Sequence, residues 1–101
     1  MNNRNVDIEV FTSTVCSNCQ RASRLVEQLL KEPGFENVTW REVEVVEEID
    51  FAVACGVLAT PSIAIGGELI FSASPSIQQL RNAVQDYLAS GSQREIRKDE
   101  S

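Results

Sequence analysis

The stretch that decides the fold is residues 6–30, which read VDIEVFTSTVCSNCQRASRLVEQLL. Its first part has apolar residues at every second position over 6–10, which is the period of a half-buried β-strand. Its second part has apolar residues three and four positions apart, which predicts an amphipathic helix over about 17–31. Two cysteines, Cys16 and Cys19, therefore fall where the strand gives way to the helix.

The rest of the chain predicts three more strands and two more helices. These elements are a strand over 38–46, a short helix over about 48–55 ended by Gly56, strands over 62–65 and 68–71 joined by a Gly66-Gly67 turn, and a last helix capped by Ser74 with Pro75 at its first position. Two strands separated by a crossover helix predict a parallel pair, and a two-residue turn predicts an antiparallel pair. The order β-α-β-α-β-β-α thus predicts an α/β fold in which helices cover both faces of a four-stranded mixed sheet.

Composition fits one small globular domain and argues against several classes of protein. Of the 101 residues, 29 are Leu, Ile, Val or Phe, a share well above that of disordered chains. The net charge of −6 argues against nucleic acid or an anionic membrane as the partner. The chain has no histidine, which removes Ser-His-Asp and Cys-His catalysis and every histidine-ligated metal site.

The two ends of the sequence differ from its middle. We expect residues 1–89 to form one domain and residues 90–101, with one apolar residue in twelve, to be a flexible tail. The first residues lead into no apolar signal segment, and no apolar run is long enough to cross a membrane. We therefore expect a cytoplasmic, monomeric protein whose cysteines are kept reduced.

The spacing of Cys16-Ser17-Asn18-Cys19 at the start of a helix carries the predicted chemistry. Free N–H groups and the positive end of the helix dipole favour a thiolate there, which predicts a lowered pKa for Cys16. Cys16 can attack a disulfide, and Cys19, one turn later and more shielded, can resolve the mixed disulfide. A bare CxxC is also half of many zinc sites, so a metal or iron–sulfur site is the alternative.

Thr60-Pro61 is the second candidate feature of the site. One interpretation is an ordinary proline at the first position of a strand. The other is a cis peptide bond that turns the backbone toward the CxxC loop and leaves the backbone of Thr60 free to pair with an extended partner segment.

Of three further features, Cys55 and an acidic cluster have both a structural and a functional interpretation, and Trp40 has only a structural one. Cys55 is either a small core residue at a helix end or a thiol at the rim of the site. Trp40 is interpreted as a core or sheet-edge residue. An acidic cluster is interpreted as a solvated surface, with one member as an alternative proton acceptor for Cys19. The members of the cluster are Glu42, Glu44, Glu47 and Glu48.

The set of motifs resembles the thioredoxin superfamily over about residues 6–89. The resemblance implies a sheet of order 2-1-3-4 whose third strand is antiparallel to the rest, and a cis Pro61 lying against the Cys16–Cys19 pair. It also implies a thiol–disulfide oxidoreductase with no bound cofactor, which reduces protein disulfides through a Cys16–Cys19 redox disulfide. An NADPH-dependent flavoprotein reductase would supply the electrons. We expect Val15, Thr60 and Pro61 to contact the substrate.

Within the superfamily the chain resembles the small, glutaredoxin-sized thioredoxin-like proteins. A glutathione-dependent glutaredoxin is the alternative. Two departures count against it: Thr12–Val15 lacks the basic residue that glutaredoxins usually carry before the CxxC, and Gly66-Gly67 is followed by Glu68 rather than Asp. A metal protein using Cys16, Cys19, Cys55 and a carboxylate, or an interaction module without turnover, would belong to other classes.

Overall fold

The computed structural model describes residues 6–90. Its elements are β1 (Val6–Thr12), α1 (Cys19–Leu29), β2 (Val38–Glu44), α2 (Ile49–Cys55), β3 (Ser62–Ile65), β4 (Glu68–Phe71) and α3 (Ile77–Ser90). This order confirms the predicted succession of strands and helices. Of the predicted tail over 90–101, Ser90 is the last residue of α3, and residues 91–101 lie outside the described residues.

The four strands form one mixed sheet of order β2-β1-β3-β4. β1 runs parallel to β2, with Val6 opposite Val38 and Thr12 opposite Glu44. β3 is antiparallel to both β1 and β4. The sheet order and the antiparallel third strand are therefore confirmed. β1 lies between β2 and β3 in the sheet. The cysteine loop that follows its last residue therefore starts between these two strands.

Two hydrophobic cores lie on opposite faces of the sheet, which confirms the prediction of helices on both sides. The larger core contains buried residues of β1, β3, α1 and α3, and Trp40 packs partly buried against it. The smaller core lies under α2 and has four buried members, which are Phe11, Val43, Ala52 and Ala64. Since side chains of a strand alternate between faces, β1 contributes to both cores.

The start of α3 differs from the prediction. The helix begins at Ile77, and its cap is Ser76 rather than Ser74. The Gln79 N–H donates to Ser76 Oγ (3.1 Å), and the Ser76 N–H donates to Gln79 Oε1 (2.9 Å), which together form a capping box. Ser74 cannot form this pair, because the residue three positions after it is the apolar Ile77.

The predicted bounds of two other elements also need correction. α1 begins at Cys19 rather than near residue 17 and ends at Leu29. β2 ends at Glu44 rather than residue 46, where the chain turns toward α2. α2 ends at Cys55 and is terminated by Gly56, as predicted, because this glycine adopts a left-handed conformation (φ +84°) that favours a residue without a side chain.

Candidate active site

The cysteine pair lies in the loop between β1 and α1. Cys16 and Cys19 form a disulfide, and their Cα atoms are 5.5 Å apart, an ordinary separation for a disulfide. The N–H of Cys16 donates to the carbonyl oxygen of Ser13 (3.2 Å), so the loop turns tightly before the first cysteine. The arrangement can exchange between a disulfide and a dithiol with little movement of the backbone.

The two sulfur-bearing residues differ in exposure. Cys19 is only 5% exposed, whereas Cys16 is half-buried. The residue before Cys16, Val15, is 89% exposed. An incoming disulfide can therefore approach the loop from the side of Val15 and Cys16, as the sequence predicted from the position of each cysteine.

The beginning of α1 lies closer to Cys19 than to Cys16. Cys19 is the first helical residue, and Cys16 precedes the N-cap, Asn18, by two positions. The helix therefore starts two residues later than predicted, and Cys16 lies in the loop before its N-cap. Asn18 makes no side-chain capping bond, and the first turn contains no acidic residue. The positive end of the helix dipole consequently remains unneutralised beside the disulfide loop.

The buried cysteine has a polar neighbour on β1. The Sγ of Cys19 lies 3.9 Å from the carbonyl oxygen of Phe11. After reduction, the Cys19 thiol can donate a weak hydrogen bond to this oxygen. A carbonyl oxygen favours a protonated sulfur, so this contact favours the thiol form of Cys19 in the reduced protein.

The Thr60–Pro61 peptide bond is cis, which confirms what the resemblance implied. The hydroxyls of Thr60 and Ser13 are 3.3 Å apart and join two loops that are 47 residues apart in sequence. Ser62, which follows the proline, pairs with Phe11 of β1. The segment that carries Pro61 is thus attached to the loop that carries Cys16.

An apolar groove of about 250 Å³ opens between α2 and the segment that precedes Pro61. Its lining residues are Ser13, Val45, Ile49, Ala52, Val53, Val57, Leu58, Ala59 and Thr60. Leu58 is 98% exposed, and Ile49 and Val53 are also exposed. The sequence analysis missed this groove, although apolar residues at 49 and 53, one turn apart on a short helix, were an available signal.

A buried carboxyl group that the sequence analysis did not single out lies on β1. Glu9 is 8% exposed, and its Oε1 has no hydrogen-bond partner among the described residues. Burial raises the pKa of Glu9, and nearby Arg41 partly opposes this shift. The strand pattern gave no signal that singles it out, because Asp7 and Glu9 both occupy polar positions of the alternation over 6–10.

Three members of the predicted acidic cluster have local partners. Glu42 accepts a hydrogen bond from the Ser23 hydroxyl (2.6 Å). Glu44 accepts one from the backbone N–H of Glu47 (3.1 Å). Glu48 forms an ion pair with Arg41 (3.2 Å). The exposure of Glu42 and Glu47 supports the interpretation of these residues as solvated surface, whereas the Oε2 of Glu44 is buried without a hydrogen-bond partner among the described residues.

Cys55 is a free cysteine at the end of α2. It packs partly buried against the smaller core, which supports the interpretation as a core residue. Burial, and to a smaller extent the charge of Glu9, raises the pKa of the Cys55 thiol. A raised pKa lowers the fraction of reactive thiolate.

Neither a metal-binding cluster nor a membrane-spanning helix is found among residues 6–90. No group of three or more Cys, Asp or Glu side chains in this part of the chain is arranged to hold a metal ion. None of the helices described there is long and apolar enough to cross a membrane.

Comparison with known proteins gives a consistent family. The family model described as "Thioredoxin domain" matches residues 6–85. A protein of Methanothermobacter thermautotrophicus named "Probable Thioredoxin" is 35% identical over 81 residues, which are 80% of this chain and 94% of the relative. A protein of Methanocaldococcus jannaschii named "Thioredoxin" is 34% identical over 84 residues, which are 82% of this chain and 96% of the relative.

Solved structures agree with this result at the level of the fold. A mutant thioredoxin from Halobacterium salinarum superposes with a TM-score of 0.70 at 21% identity, covering 86% of this chain and 78% of that one. A thioredoxin of Malassezia sympodialis gives a TM-score of 0.69 at 22% identity, covering 83% and 76%.

The fold and the disulfide at the end of its central strand define a redox protein of the thioredoxin type. The chain belongs to the thioredoxin domain family. It is a thiol–disulfide oxidoreductase that acts on protein disulfides through the Cys16–Cys19 disulfide, and these relatives do not favour the glutaredoxin alternative.

Proposed function

We propose that Cys16 is the nucleophile and Cys19 the resolving thiol when this protein reduces a protein disulfide. The difference between the environments of the two cysteines carries the proposal. Cys16 is half-buried beside the exposed Val15, whereas Cys19 is almost fully buried with its sulfur next to the carbonyl oxygen of Phe11. A substrate can therefore reach Cys16, and Cys19 is favoured in its protonated form until it attacks the mixed disulfide.

The reaction balances in two exchanges. The Cys16 thiolate attacks one sulfur of the substrate disulfide, forming a mixed disulfide and releasing the other substrate sulfur as a thiolate. Cys19 then loses its proton and attacks the Sγ of Cys16. The Cys16–Cys19 bond forms, the mixed disulfide breaks, and the second substrate thiolate leaves. The protein is oxidised by two electrons, and the substrate gains them together with two protons.

Val15, Thr60 and Pro61 are proposed to contact the substrate around the attacked disulfide. The exposure of Val15 and the attachment of Thr60 to the disulfide loop through Ser13 support this role. The apolar groove that begins at Ser13 and Thr60 supports it further, because it offers a surface for side chains that flank a substrate cysteine.

The return of electrons completes the proposed cycle. A reducing turnover needs a reductant, and we propose an NADPH-dependent flavoprotein reductase acting on the Cys16–Cys19 disulfide. The protein is proposed to act as a monomer in the cytoplasm, with residues 1–89 as one domain.

Insulin reduction by three serine variants tests the roles of the cysteines. We expect Cys16→Ser to abolish activity and Cys19→Ser to trap a mixed disulfide that mass spectrometry detects. Cys55→Ser is the matched control and should retain activity, because Cys55 packs against the smaller core. Full activity of Cys16→Ser would show that the proposed nucleophile is wrong.

The proposed electron donor has its own test. The oxidised protein is offered NADPH with thioredoxin reductase, or glutathione with glutathione reductase, and NADPH consumption is followed in the presence of insulin. We expect turnover with the first pair. Turnover with the second pair alone would overturn the proposed donor without affecting the assignment of Cys16 and Cys19.

A further inference from the structure

We propose that this protein selects disulfide substrates that carry a Lys or Arg close to the reacting cysteine. The inference rests on the proposed function and adds a substrate class to it. Its basis is the combination of an apolar groove beside the disulfide with a rim that carries negative charge and no positive charge. The occupant of the groove is a disulfide-bearing peptide segment with one apolar and one cationic side chain.

The charges of the chain are distributed very unevenly around the site. The segments 6–20 and 42–80 contribute the disulfide loop, α2, the groove and the hairpin, and neither contains a Lys or Arg. Together they contain eight acidic residues, of which Asp7 and Glu68 lie at the end of β1 that is far from the disulfide loop. The positively charged residues within the described chain are Arg21, which is exposed in the first turn of α1 two positions after Cys19, and Arg24, Lys31, Arg41 and Arg81.

Two acidic residues of the rim are available to a partner. Glu47 and Asp50 are exposed on either side of the start of α2, and Ile49, which lies between them in sequence, lines the groove. No described residue forms a hydrogen bond or ion pair with either carboxylate. Glu42, by contrast, is already bonded to Ser23.

Arg41, whose partner Glu48 lies between Glu47 and Asp50 in sequence, does not neutralise this rim. The guanidinium of Arg41 pairs with Glu48 at 3.2 Å and lies 5.4 Å from the ring centre of Phe51. Both partners hold Arg41 against the flank of α2. The field at the mouth of the groove is therefore set by Glu47 and Asp50, which attract a cationic segment and repel an anionic one.

One substrate segment can contact the apolar groove and the acidic rim at the same time. With its disulfide at Cys16, an apolar side chain can lie between Val53 and Leu58, while a long Lys or Arg side chain reaches Glu47 or Asp50. The cation then stays partly hydrated while its methylene groups cover apolar surface. Glutathione disulfide, whose carboxylates outnumber its ammonium groups, is disfavoured by the same rim.

Three disulfide peptides of identical length test the proposal. Each contains one intramolecular disulfide and one Leu, and the position next to the first cysteine is Lys, Gln or Glu. Single-turnover reduction by the reduced protein is measured at low and high salt. We expect the rate constant for the Lys peptide to exceed that for the Glu peptide by about fivefold at low salt, and the ratio to approach one at high salt.

Two charge-matched double variants identify the residues responsible. Glu47→Gln with Asp50→Asn should reduce the ratio of the Lys-peptide to the Glu-peptide rate constant to about half of its wild-type value or less. Glu27→Gln with Glu36→Gln removes the same charge outside the two segments and should retain the ratio. A wild-type ratio near one, or a ratio unchanged in the rim variant, would overturn the charge selection. If even the Gln peptide is not reduced, the proposed function itself fails.

Discussion

Glu9 shows how a neighbour in the sheet determines the state of a single side chain. Its register partner on β2 is Arg41, which would be a natural ion-pair partner. The guanidinium of Arg41 instead bonds to Glu48 and contacts the ring of Phe51. The carboxyl group of Glu9 is therefore left without an ion pair. Because it is also buried, its pKa is raised.

Replacing Glu9 by Gln should stabilise the protein at neutral pH. Because the folded state raises the pKa of Glu9 above its ordinary value of 4.5, the folded protein binds this proton more tightly than the unfolded chain. The contribution of Glu9 to stability is therefore complete below pH 4.5 and is lost as pH rises through the folded pKa. Urea denaturation of Glu9→Gln should give a higher unfolding free energy than wild type at pH 7, and the difference should vanish near pH 4.

Glu27→Gln, a change at an exposed helix position, serves as the control. Because this variant retains Glu9, its unfolding free energy at pH 7 should equal that of wild type. A Glu9→Gln variant that is less stable than wild type at pH 7 would mean that the Glu9 carboxylate makes a favourable contact in the folded state.

Single residues differ in how readily the sequence identifies them. Cys16 and Cys19 were found because their spacing and their place after a strand are properties of the local chain. The cis bond at Pro61 followed only from the family resemblance, since most bonds preceding proline are trans. Glu9 was missed because the strand pattern alone does not tell whether a short helix such as α2 covers the polar side of β1.

At the scale of elements, the residue at which a helix starts depends on which serine can form a capping box. Ser74 and Ser76 both precede a helical pattern, and Pro75 at the next position made Ser74 the more regular cap. Only Ser76 has a glutamine three residues later, and the structure has the resulting capping box. The hydroxyl of Ser74 is buried with no hydrogen-bond partner in the described part of the chain.

Alanine substitutions at these two serines should have clearly different effects. Ser76→Ala removes a cap that satisfies the N–H of Gln79 and should lower the unfolding free energy by about 1 kcal/mol. Ser74→Ala removes a hydroxyl that makes no hydrogen bond and should leave stability unchanged or slightly raised. Thermal or urea denaturation measures both. Equal losses would show that the first turn of α3 extends to Ser74 in solution.

The order of elements was predictable because each has its own period or turn signal, but the groove beside the disulfide was not. The groove needs α2 and the segment before Pro61 to lie next to each other, and this depends on how β2 and β3 flank β1. Ile49 and Val53 are apolar residues about one turn apart on α2. α2 is so short that it buries only Ala52 fully, which leaves the other two exposed on the groove.

At the scale of the whole molecule, the two faces of the sheet carry hydrophobic cores of different size. α1 and α3 share the larger core, and an ion pair between Glu32 and Arg81 (2.8 Å) also connects this face of the sheet. α2 has seven residues over a core of four buried side chains. Segments with little buried apolar surface open locally at lower free energy than the rest. We therefore expect α2, which forms one wall of the groove, to open while the larger core stays folded.

Native-state hydrogen exchange of two core variants tests this independence of α2. Val84→Ala in the larger core should lower the opening free energy of β1 and α3 amides by about 2 kcal/mol and leave that of α2 unchanged, because the larger core persists when α2 opens. Phe51→Ala, which removes a ring 5.7 Å from that of Phe11, should lower the opening free energy in all three elements, since its contacts are lost in both kinds of opening. If Val84→Ala lowers the protection of α2 as much as that of β1, α2 opens only when the whole protein unfolds, and the groove is as stable as the sheet.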